Sequence, residues 1–101
     1  MAIYQTAQYQ ISSQGLDKVK QAIEEFVRYV RTNEPGTQMY LAWQQQNNPS
    51  RFIHFFIFKD EATQTIHSES AAVRHFESVY TPYLVGGPVI FTDFDLVASN
   101  I

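Results

Sequence analysis

Proton chemistry near neutral pH falls to three side chains in this sequence, His54, His67 and His75, since the 101 residues include no cysteine. His67 stands at the end of a short helical stretch that Asp60 can cap. A neutral imidazole there could take a proton from a phenol before attack by oxygen. A histidine in a last helical turn can also serve only to interact with the final carbonyls. His54 lies mid-run between phenylalanines in Arg51–Phe58. It reads either as a general base or orienting donor in a pocket, or as a buried ring hydrogen-bonded for structure. His75, among Arg74, Phe76 and Glu77, reads as solvated.

Other chemistries find little support. Ser68 and Ser70 interrupt the helix between His67 and His75, and no flanking acid or histidine completes a ligand set, so no metal is expected. The lack of cysteine excludes disulfides, thiolate metal sites and cysteine nucleophiles, and suits a reducing cytoplasm. No serine or threonine occupies a nucleophile motif. Gly86-Gly87-Pro88 lacks the strand and GxxxxGK context of a phosphate loop and reads as a turn or a hinge. No cofactor is expected.

Rings are the second resource. Fifteen per cent of the residues are aromatic, with eight Phe, six Tyr and one Trp. Tyr9, Tyr40 and Trp43, with Phe56 and Phe58, are candidates to hold a small, planar, hydrophobic ligand by stacking and by hydroxyl hydrogen bonds.

These residues must be held by strands and helices. Ile3, Ala7, Tyr9 and Ile11 alternate with Tyr4, Thr6, Gln8 and Gln10, the period of a strand. From Leu16 the period lengthens: Leu16, Val19, Ile23, Phe26, Val27 and Val30 form one helical stripe. Pro35-Gly36 ends that helix near Thr32 or Asn33. Strands follow over Thr37–Gln46 and Arg51–Phe58, joined through the Asn47–Ser50 turn as a hairpin. A short helix runs from Asp60 to His67, and a second stretch carries Ala72, Val73, Phe76, Val79 and Tyr80. Tyr83–Pro88 reads as a loop and Val89–Val97 as the last strand. The order predicts a single α+β domain over residues 1–101. Its arrangement is ferredoxin-like, βαββαβ, a four-stranded antiparallel sheet with helices on one face.

The third strand adds a requirement. Phe52, His54, Phe56 and Phe58 point one way, Ile53, Phe55 and Ile57 the other. Helices cover one face only, and an antiparallel sheet open on one side normally alternates apolar with polar. Leaving those side chains wet forgoes roughly 1.5–3 kcal/mol each. Only Ala98–Ile101 remain to cover them, so a homodimer packing sheet on sheet is expected.

The net charge of −3 and pI near 5.4 give no basic footprint for nucleic acid. No apolar run approaches the roughly 20 residues of a membrane span. No basic region followed by an apolar stretch marks a signal peptide. A soluble cytoplasmic protein is expected.

The segment Asn33-Glu34-Pro35-Gly36-Thr37-Gln38-Met39-Tyr40 resembles the loop and second strand of the antibiotic biosynthesis monooxygenase (ABM) family. So does Phe58-Lys59-Asp60-Glu61-Ala62 followed by His67, matching the family's recurrent histidine. The resemblance implies a dimeric α+β barrel with a pocket between each sheet and its helices. It implies a cofactor-independent oxygenase of small aromatic or polyketide-like molecules, with His67 or His54 as the base. Many relatives carry Glu and Trp on the third strand, where this chain has Phe56 and Phe58. Haem-degrading relatives place an Asn, a Trp and a His ligand where Tyr9, Phe58 and Glu77 stand, which disfavours that activity. The loss of the strand Glu and Trp keeps a non-catalytic dimeric small-molecule-binding domain open as the alternative. A protein-interaction domain is a third reading.

Overall fold

The computed structural model covers residues 1–101. Strand β1 (Ile3–Ile11) leads through a 3-10 turn into helix α1 (Leu16–Asn33). Strands β2 (Thr37–Gln44) and β3 (Arg51–Phe58) follow as the expected hairpin. Helices α2 (Glu61–Ser68) and α3 (Ala71–Tyr80) precede strand β4 (Leu84–Phe94). The sheet order is β2-β3-β1-β4, and every pair is antiparallel. This is the ferredoxin-like arrangement.

The capping chemistry divides the second crossover into two helices. The Asp60 carboxylate accepts from the Thr63 N–H at 2.8 Å and starts α2. The Ser70 hydroxyl accepts from the Val73 N–H at 3.1 Å and starts α3. On α1, Val19, Ala22, Ile23, Phe26 and Val30 are buried, and they meet Phe76 and Tyr80 of α3 over Tyr9, Ile11 and Phe52. Helix α2 buries no residue and lies over the β2–β3 side of the sheet.

Two boundaries differ from expectation. Strand β2 stops at Gln44, where Asn47–Ser50 turns the chain. Strand β4 runs from Leu84 to Phe94 rather than from Val89 to Val97. Its pairing jumps from Gln8↔Ile90 to Gln10↔Val85, so Gly86 to Val89 bulge opposite Tyr9. Gly86 and Gly87 have φ of 76° and 114°, a region L side chains avoid, which is why the bulge falls on glycines. The turn signal was sound, but the strand pairs on both sides of it.

The faces divide as the alternation requires. Phe52, His54, Phe56 and Phe58 are buried beneath the helices. On the other face, Trp43, Ile90 and Phe94 are more than half exposed, and Leu41 is 41% exposed. Thr6 lies buried in that open face, and its hydroxyl has no hydrogen-bond partner. No helix is long and apolar enough to cross a membrane.

Candidate active site

The α1–β2 turn builds the first half of the site. Glu34 caps α1, its N–H donating to the Val30 carbonyl. Its own carbonyl accepts from the Thr37 N–H, and the Gly36 carbonyl accepts from the Lys59 N–H at 2.8 Å. The turn is thereby tied to the end of β3. Gly36 lies so close to α2 that a Cβ there would sit 2.4 Å from the Thr63 hydroxyl. The Glu34 side chain is buried against the helix that carries His67.

Glu34 and His67 meet there. The His67 Nδ1–H donates to Glu34 Oε1 at 2.8 Å, and the Thr37 hydroxyl donates to the same oxygen at 2.8 Å. The Glu34 side chain is 2% exposed and that of His67 12%. Glu34 Oε2 is buried without a partner. Fixing the proton on Nδ1 leaves Nε2 with its lone pair and no protein partner. The carboxylate behind the ring would also stabilise an imidazolium once formed, the role an acid plays behind a catalytic histidine. His67 therefore engages Glu34 rather than the last carbonyls of its own helix.

The strands build the second half. The Tyr9 hydroxyl lies 2.7 Å from His54 Nε2, and the Tyr40 hydroxyl 2.8 Å from His54 Nδ1. His54 is 1% exposed, and burial holds its pKa down at about 4, so the ring is neutral at physiological pH. Both ring nitrogens are occupied, leaving none to act as a base on a bound molecule. Of its two expected roles, the structure supports the buried, hydrogen-bonded one. Burial, then the neighbouring Tyr80, raises the Tyr9 pKa; burial, then Tyr9, Tyr80 and Glu34, raises that of Tyr40. Burial, then Glu77, pushes Tyr80 up to about 12. All three hydroxyls keep their protons.

A cavity of about 420 Å³ opens between the sheet and the helices, against both groups. His67, His54, Tyr9, Tyr40, Phe56 and Phe58 all line it. Phe26 stacks on Phe76 with centroids 5.1 Å apart, and Tyr40 on Phe56 at 5.2 Å, giving flat aromatic walls. Gln5, Gln64, Thr65, Ser68 and Glu77 add polar groups, and neither Lys nor Arg takes part. Phe91 of β4, opposite Ala7 and 60% exposed, also lines the cavity.

Trp43 is a correction. It was expected on the face toward the helices, but its register opposite Ile53 puts it on the open face, where it packs against Phe55 at 4.7 Å. Alternation allows only one of Tyr40 and Trp43 to face the cavity, and Tyr40 does. Sequence reasoning also missed Glu34. Its residue type beside Pro35-Gly36 was visible, but nothing in the pattern joins it to a histidine 33 positions later. No three or more His, Asp or Glu side chains converge as a metal site would require.

A family model described as "Antibiotic biosynthesis monooxygenase" matches residues 2–78. No curated protein matches the chain. Solved structures share the fold at low identity. A protein from Bacteroides thetaiotaomicron, provisionally assigned as an antibiotic biosynthesis monooxygenase, is 14% identical, with a TM-score of 0.89 over 99% of this chain and 93% of that one. A structure described as an antibiotic biosynthesis monooxygenase is 21% identical, with a TM-score of 0.86 over 97% of this chain and 100% of that one. Rv0793 from Mycobacterium tuberculosis is 12% identical, with a TM-score of 0.86 over 100% of both chains.

Proposed function

The chain belongs to the antibiotic biosynthesis monooxygenase family, and from that premise we propose that it is a cofactor-independent monooxygenase-like enzyme acting on a small aromatic or polyketide-like molecule. The observation that carries this reading is the His67–Glu34 pair beside a largely aromatic cavity, with Nε2 of His67 unpartnered. In this reading His67 Nε2 takes the proton from a phenolic oxygen or an activated carbon, and Glu34 holds the imidazolium that results. The substrate carbanion then gives its electron pair to oxygen, forming a C–O bond, and the imidazolium returns its proton to the peroxide. Loss of water from that hydroperoxide, with the remaining hydrogen on the same carbon, breaks the O–O bond and leaves a carbonyl. Oxygen is thus the oxidant, and no other reductant is needed. Tyr9, Tyr40, Phe56 and Phe58 hold its rings, and His54 fixes the two tyrosine hydroxyls without touching the substrate.

The test is oxygen uptake with electron-rich hydroquinones and anthrones. His67→Ala is expected to lower the rate at least about 100-fold, the scale of a general base. An unchanged rate in that variant refutes the assignment.

A second reading, a non-catalytic dimeric domain that binds a hydrophobic metabolite, draws on Phe56 and Phe58, apolar rings that offer no proton to exchange. Tight binding without turnover would favour it. In both readings the whole chain acts as one domain, and two copies pack through the open sheet face. A monomer by sedimentation at micromolar concentration would refute that pairing.

A further inference from the structure

A neutral imidazole has one N–H and one bare nitrogen. Of the two hydroxyls on His54, one must therefore donate to the ring and the other accept from it. The accepting hydroxyl keeps its own hydrogen, and no other protein acceptor lies within hydrogen-bond distance of either oxygen. Whichever tautomer His54 adopts, one tyrosine hydrogen is left over, in a cavity that both tyrosines line. That hydrogen faces the cavity and is free to be donated to an oxygen of a molecule bound there. Tyr40 is the better placed, since its ring centroid lies 5.8 Å from that of His67, whereas the Tyr9 ring makes no contact with His67. Donation by Tyr40 selects the Nδ1–H tautomer of His54, with the Tyr9 hydroxyl donating to Nε2.

We propose that this cavity has a second, oxygen-independent activity, the enolisation of a neutral cyclic ketone, with Tyr40 holding the enolate oxygen and His67 moving the proton. The inference rests on the reading of His67 as the base. His67 Nε2 takes a proton from the carbon next to the carbonyl. The C–H pair becomes the new C=C bond, and the carbonyl π pair moves onto oxygen, where the Tyr40 O–H donates to it. The imidazolium, held by Glu34, then returns a proton to the same carbon. Nothing is oxidised or reduced, and no co-reactant is consumed. Burial keeps Tyr40 from ionising, so it remains a hydrogen-bond donor throughout. The ketone is neutral because neither Lys nor Arg lines the cavity to meet a carboxylate or phosphate.

The probe is 2-tetralone in anaerobic D2O, with loss of its α-proton signals followed by NMR in the presence of the full chain. The wild type is expected to exchange them faster than buffer, His67→Ala to abolish that gain, and Tyr40→Phe to lower kcat about 100-fold while retaining binding and the thermal melt. Ketone binding is also expected to drive the ¹⁵N signals of His54 to the Nδ1–H form, which a merely structural histidine would not do. Exchange by Tyr40→Phe at the wild-type rate overturns the inference. Exchange by the wild type no faster than buffer overturns it as well. If His67-dependent oxygen uptake persists in that case, the base assignment survives and this inference alone falls. If His67→Ala retains both activities, the base assignment falls with it.

Discussion

Lowering the pH from 7 to about 4.5 should destabilise this protein chiefly through His54. In the unfolded chain the imidazole has its ordinary pKa of 6.5, whereas burial holds it at about 4 in the fold. Between those values the unfolded state binds more protons, so stability falls as pH falls. The contribution is fully present above 6.5 and is lost as the pH drops toward the folded value. At about 1.4 kcal/mol per pH unit the gap amounts to about 3 kcal/mol, a large share of the roughly 5–15 kcal/mol that holds a domain together. Asp60 titrates below this window, because the backbone N–H of Thr63, then its hydroxyl, hold that carboxyl below its usual value of 3.8. Its stabilisation is present above 3.8 and fades only at lower pH. The assay is urea unfolding by far-UV circular dichroism at steps of pH and fixed protein concentration. The His54 Cε1–H resonance provides a direct check. A urea midpoint that stays flat across the range with an unchanged slope, or a His54 resonance titrating near 6.5, would refute the reasoning.

Other outcomes follow from the same contacts. Phe58→Ala, removing a ring that is 1% exposed, should cost about 3–5 kcal/mol in urea unfolding. Ser70→Ala should cost about 1 kcal/mol and fray the first turn of α3, as amide hydrogen exchange would show. Gly36→Ala should destabilise by about 1–3 kcal/mol and shift the amide resonances of α2 through His67, because its Cβ meets Thr63. Glu34→Ala frees the His67 ring and should lower kcat for oxygen uptake at least about tenfold, with less change in KM. Equal rates would reduce Glu34 to a structural role.

Much of the fold was legible because its signals are periodic and local. The run of aromatic and β-branched residues in Arg51–Phe58, bounded by the Asn47–Ser50 turn and by Asp60, marked β3 to the residue, and the Leu16–Val30 stripe marked the buried face of α1. Asp60 and Ser70 cap helices as their residue types suggest. The β4 bulge was less legible, because glycines at positive φ end some strands and only kink others, and pairing with β1 decides which. In the site, His54, His67, Tyr9, Tyr40, Phe56 and Phe58 converge on one cavity from four separate stretches of chain. Their pairing was hidden. Nothing local records that Tyr9 and Tyr40 occupy both nitrogens of His54, or that an α1 cap residue meets the end of α2. Those contacts depend on the crossover geometry, which one-dimensional spacing does not encode.

Trp43 is the only indole in the chain, and it stands on the sheet face away from the cavity, 56% exposed against Phe55. Its emission is therefore a natural beacon for whatever covers that face. A covering surface would shift the spectrum to the blue as water leaves the ring. A guest among the phenylalanines on the far side of the sheet would leave the indole's own surroundings untouched. One fluorescence spectrum, recorded against dilution and then against added ketone, separates association of the sheet from occupation of the cavity without a label.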